Sequence, residues 1–134
     1  MCEPSRRNFL GRLTLGGFAL TPLALALSAC GKSGWPEGMV EIKGDRDVCP
    51  RCSMVISDRR FAAELRGGEK NTAFKFDDIG CAVFWMRDKA MDFPWMAEAG
   101  TRLWVADSGA NGEKWLDARK AHYSGGKMSP MAYN

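Results

Sequence analysis

Cys49-Pro50-Arg51-Cys52-Ser53-Met54 brings two thiols and a thioether into six consecutive residues. Sulfur donors this close suit copper(I), because a soft, polarizable ion prefers polarizable ligands. If the segment is extended, Cys52 and Met54 stand two apart and project to the same face, where they can grip one ion. Two other chemistries use the same residues. The dipeptide-bridged pair Cys49 and Cys52 has the form of a thiol-disulfide oxidoreductase, although no amphipathic helix follows to stabilise a thiolate. A structural zinc on Cys49, Cys52, Cys81 and His122 is the third reading, but Cys81 and His122 lack the paired spacing of a zinc knuckle. No Ser-His-Asp set, phosphate-cradling glycine loop or inward carboxylate pair is present, so no enzymatic activity is expected.

The N-terminus sets the compartment. Ser5-Arg6-Arg7-Asn8-Phe9-Leu10 has the paired arginines of a twin-arginine export signal, and Leu13 to Leu27 is apolar but broken by Gly16, Gly17 and Pro22. Leu27-Ser28-Ala29-Cys30 resembles a lipobox, in which the cysteine is acylated and becomes the first mature residue. Residues 1–29 therefore read as a signal peptide and Cys30 as the lipidation site of a periplasm-facing, membrane-anchored protein. Taking the signal's three arginines from 19 basic residues and its one glutamate from 16 acidic ones leaves 16 against 15. A near-neutral remainder has no basic stripe for a nucleic acid. Three thiols then remain, Cys49, Cys52 and Cys81, an odd number in an oxidising envelope, so at least one is free or metal-bound.

Residues 30–44, with Gly31, Gly34, Pro36 and Gly38, read as a flexible tether, and 45–134 as the domain. Met54-Val55-Ile56 is a short strand-favouring run. Phe61 to Arg66, the Gly67-Gly68 turn and Thr72 to Phe76 predict a β-hairpin. Asp77 or Asp78 then caps a helix from about Ile79 to Ala90 that covers the hairpin. Cys81 falls in the first turn, where the helix dipole would lower its pKa, yet a lone cysteine there is more often a small core residue. Arg102 to Asp107 predicts a third strand, Gly109 to Gly112 a turn, and Lys114 to Ala118 a short strand or helical turn. The tail, Ser124-Gly125-Gly126-Lys127-Met128-Ser129-Pro130-Met131, reads as a glycine-rich loop.

The lipobox cysteine, the Cys49 to Met54 motif, Phe76-Asp77-Asp78-Ile79-Gly80-Cys81, Trp115-Leu116-Asp117-Ala118 and Ser129-Pro130-Met131 occur in an order that resembles the NosL family. That family comprises copper-binding lipoproteins that accompany nitrous-oxide reductase maturation. Two positions depart from its pattern, Ser53 and Ala132, where glycine is usual. The resemblance implies an α+β fold: a small antiparallel sheet with one covering helix, a ββα unit, followed by a second, truncated ββα-like unit. It implies a lipid-anchored copper(I) carrier that delivers copper to nitrous-oxide reductase or an assembly factor. Composition alone makes Met54 and Met131 core fillers. The neighbouring cysteines and the resemblance make them ligands with Cys52, leaving Cys49, Met128 and His122 as further donors.

Overall fold

The computed structural model describes residues 34–133, so the signal peptide and Cys30 lie outside the described residues. Four antiparallel strands, β1 (Ala63–Gly67), β2 (Thr72–Phe76), β3 (Arg102–Ala106) and β4 (Trp115–Asp117), form one sheet in the order β2-β1-β3-β4. One helix, α1 (Ile79–Asp88), packs on it, giving the expected α+β arrangement. The strands expected to begin a second unit, β3 and β4, extend the first sheet, because β3 pairs directly with β1. Among the described residues no helix is long and apolar enough to cross a membrane.

Alternation along the strands decides which side chain meets which layer. Ala63 and Leu65 of β1, Phe74 and Phe76 of β2, and Leu103 and Val105 of β3 face α1, where they meet Cys81, Ala82 and Trp85. Trp85 anchors this layer, with its ring centroid 4.5 Å from Phe74 and 5.3 Å from Phe93. The helix starts where expected: Asp78 Oδ1 accepts from the Gly80 amide at 2.7 Å, satisfying a donor that the first turn leaves free. It ends at Asp88, two residues before the expected Ala90.

The chain before the cysteine motif does not behave as a tether. Residues 34–44 lie across the opposite face of the sheet, where Ile42 is fully buried with Ile56, Ala62, Trp104, Ala106 and Trp115. Trp35 packs against Trp115 with centroids 5.1 Å apart, and Met39 covers the same cluster. The strap is also bonded to the sheet. The Val40 amide donates to Glu64 Oε1 at 2.8 Å, Lys75 Nζ donates to the Glu41 carbonyl at 2.6 Å, and the Arg66 guanidinium donates to the Gly38 carbonyl. Trp35, Met39 and Ile42 supply apolar area that glycine-rich composition conceals, and this is why the segment packs instead of remaining a linker.

The C-terminal tail is anchored as well. Met131 packs against the cluster between helix and sheet, and the Tyr133 ring lies over α1, 5.2 Å from Phe84. A Cβ on Gly80 would come within 2.3 Å of the Tyr133 ring, so glycine at that place gives the tail its seat.

Glu64 is the anomaly of the sheet. It is fully buried beneath the strap, and Oε2 has no hydrogen-bond partner among the described residues. Burial pushes its carboxyl from 4.5 up to about 7, against the Val40 amide and the charges of Lys75 and Arg66. The folded chain thus binds this proton more tightly than the unfolded chain. The stability it contributes is complete below 4.5 and is lost as pH rises through about 7. The gap is worth about 3 kcal/mol. In urea unfolding at about pH 5 and about pH 8, Glu64→Gln is expected to remove a pH-dependent loss of about that size. An unchanged difference would mean that Glu64 ionises without cost.

Candidate metal centre

The cysteine motif sits at the tip of a small hairpin that departs from the strap and returns to the sheet. Its base is tied by Ile56 N to Asp47 O at 2.8 Å and by the isolated bridge between Val48 and Val55. At the tip the Cys49 amide donates to the Met54 carbonyl at 2.9 Å, and the Ser53 amide to the Cys49 carbonyl at 2.9 Å. Pro50, with its fixed φ and no amide of its own, starts the reversal. Ser53 completes it with φ of 60°, a left-handed conformation that glycine adopts at least cost. The departure at Ser53 is therefore accommodated by backbone strain with the turn intact.

This geometry corrects the extended reading of the motif. The chain reverses between Cys52 and Met54, so the two side chains are not successive same-face positions of a strand. Cys52 is half-buried against the main core, while Met54 is 44% exposed. The strand-favouring run Met54-Val55-Ile56 contributes only the single bridge.

The turn instead directs its sulfurs toward α1. Cys49 and Cys81 are both fully buried, and the Sγ atoms of Cys49, Cys52 and Cys81 all lie within 4.8 Å of one another. All three are free thiols. Three cysteines so placed could hold a metal ion. Cys81, which sequence reasoning favoured as a core residue, is both: it is sealed in the core and is the third sulfur of the cluster. The odd thiol count and its place one turn into a capped helix were the signals that could have found it.

The backbone is arranged around Cys49. Burial alone would push its thiol up, but backbone hydrogen bonding from Cys52, Asp77 and Arg51, with the Cys52 side chain, holds it below its ordinary value. Burial raises the Cys52 thiol, opposed by the Met54 amide, with the neighbouring Cys49 adding to the rise. Cys81 is pushed far up by burial and by the charge of Cys49 and Cys52. The expected lowering by the helix dipole is thus outweighed, because desolvation and two adjacent sulfurs act more strongly on this thiol. Three thiolates in one dry pocket repel each other, and a bound cation is the partner that would relieve them.

The remaining expected donors divide. Met131 packs on the cluster that contains Cys49 and Cys81. Met128 is 90% exposed, and His122 is exposed on the rim of a cavity of about 300 Å³ with Tyr123 and Ser129. Among the described residues no histidine, aspartate or glutamate joins the three sulfurs, so the four-ligand set with His122 is not assembled.

Arg51 braces the turn from outside: it pairs with Asp88 of α1 at 2.5 Å and lies over the Phe84 ring, 5.0 Å from its centroid. Comparison with protein-family models, curated sequences and solved structures finds no match.

Ser53→Gly is expected to preserve the cluster, whereas Ser53→Val, a β-branched residue at positive φ, should be less stable than Ser53→Gly by about 1–2 kcal/mol. Thermal unfolding of the two variants, with thiol accessibility to an alkylating reagent, checks the pair. Equal stability would remove the strained turn from the account.

Proposed function

We propose that this chain is a copper(I) carrier of the cell envelope, lipid-anchored through Cys30, that takes its cargo on Cys49, Cys52 and Cys81. The observation that carries the reading is the convergence of three sulfurs within 4.8 Å, with no histidine, aspartate or glutamate in the group among the described residues. Zinc in structural sites takes four ligands, whereas copper(I) is content with three soft ones. Met131, which packs on the core cluster that contains Cys49 and Cys81, is the thioether we assign to such an ion. Met54, turned outward, is the weaker candidate.

The order of motifs resembling the NosL family supplies the destination: copper delivered for nitrous-oxide reductase, directly or through an assembly factor. The carrier reading also explains why the site is built on a braced turn. A site that must release its ion gains from fixed ligands, because no refolding accompanies each cycle.

Titration of the reduced protein with copper(I) against a competing chelator is expected to show one ion bound, with each of Cys49→Ser, Cys52→Ser and Cys81→Ser weakening it at least about tenfold. Cys81→Ser is the informative variant, since a merely core-filling cysteine would leave affinity unchanged. Because the Cys52 and Cys81 thiols are held above their ordinary values, binding must release their protons. Affinity should therefore rise steeply as pH rises through neutrality. A pH-independent affinity, or thiol-disulfide exchange activity that survives complete demetallation, would overturn the reading.

A further inference from the structure

The three sulfurs differ in their access to solvent, and the difference is structural. Cys49 is fully buried, and its own amide and carbonyl close the turn. Cys81 is fully buried in the first turn of α1, whose position is fixed by the Asp78 cap and by the packing of Trp85. Cys52 alone is partly exposed, and the three residues after it, Ser53, Met54 and Val55, are all exposed. Arg51, on the other side of Cys52, is held against α1 by Asp88 and Phe84. The open approach to the cluster therefore runs along the Ser53 to Val55 edge.

Resting on the copper(I) reading of the site, we propose that Cys52 is the exchange ligand, and that the acceptor is a protein presenting a cysteine thiol on a protruding loop, which enters along the Ser53 to Val55 edge. Cys49 and Cys81 keep hold of the ion while the exchange proceeds. Three sulfurs leave copper(I) room for one more donor, so the acceptor sulfur binds before Cys52 departs and the ion is never released to water. In the first exchange the bond from copper to the acceptor sulfur forms and the bond to Cys52 breaks. The proton of the acceptor thiol ends on the Cys52 sulfur, so charge and protons balance and no oxidant or reductant is needed. The buried pair then yields the ion to further donors of the acceptor.

The test uses the full chain loaded with one copper(I) and a monothiol peptide as probe. The copper-thiolate absorbance is followed in stopped flow, and Val55→Trp narrows the edge without touching a candidate sulfur ligand. Transfer is expected to accelerate in proportion to peptide concentration, to vanish with the S-methylated peptide, and to slow several-fold in Val55→Trp at unchanged equilibrium affinity. Brief alkylation during transfer, read by mass spectrometry, should label Cys52 before Cys49 or Cys81. Release at a rate independent of peptide, an unaffected Val55→Trp, or first labelling at Cys49 or Cys81 would overturn the assignment while leaving the copper site standing. A chain that takes up no copper(I) at all would remove the site and the exchange route together.

Discussion

The reverse turn from Cys49 to Met54 depends on one backbone torsion, the positive φ of Ser53. With that residue left-handed, the Met54 carbonyl accepts from the Cys49 amide and the chain reverses beneath the Cys49 sulfur. With Ser53 in the ordinary extended region, the chain would run on as a strand and the sulfurs would separate. The cost of about 1–2 kcal/mol for a non-glycine residue there is small beside what the surrounding structure supplies. Cys49 is embedded in the main core, and Arg51 is clamped to α1. The turn is over-determined, and this is the condition under which such strain persists.

Much of the fold was legible because its signals are local. Gly67-Gly68 between two alternating runs marks a hairpin, and Asp78 before an apolar stretch marks a helix start; both elements are present, although Gly67 belongs to β1 and pairs with Thr72, so the turn begins one residue later than expected. The strap was not legible, since Gly34, Pro36 and Gly38 speak of a linker while Trp35, Met39 and Ile42 show no periodicity. Their burial depends on a sheet face that does not exist until β1, β3 and β4 have paired. The candidate site was half legible. Its sulfur content could be read directly, whereas the entry of Cys81 into the cluster needed the turn geometry. A serine gives little warning that it will occupy a glycine's conformation.

The sheet separates two kinds of buried polar chemistry. On the α1 side, burial works on thiols, raising two and leaving one lowered by backbone amides. On the strap side, it works on the Glu64 carboxyl, which receives a single amide. Asp77 joins the α1 group through its backbone, which helps to hold the Cys49 thiol down, while its side chain is buried with one oxygen unpaired among the described residues. Thus Phe76, Asp77 and Asp78, three consecutive residues, fill the core, support the Cys49 thiol and cap the helix.

The packing of α1 has an optical consequence. Cys81 and Trp85 are four residues apart on one face of the helix, and both belong to the cluster that contains Cys49. An indole held this close to a thiolate cluster is sensitive to any heavy ion that enters it. Trp104 and Trp115 lie in the cluster on the other face of the sheet. The emission of the chain therefore divides between Trp85 and Trp95 on the side of the sulfurs and Trp35, Trp104 and Trp115 on the other face of the sheet. Loading of the cluster would darken the first and spare the others, a built-in spectroscopic record of occupancy that requires no added dye.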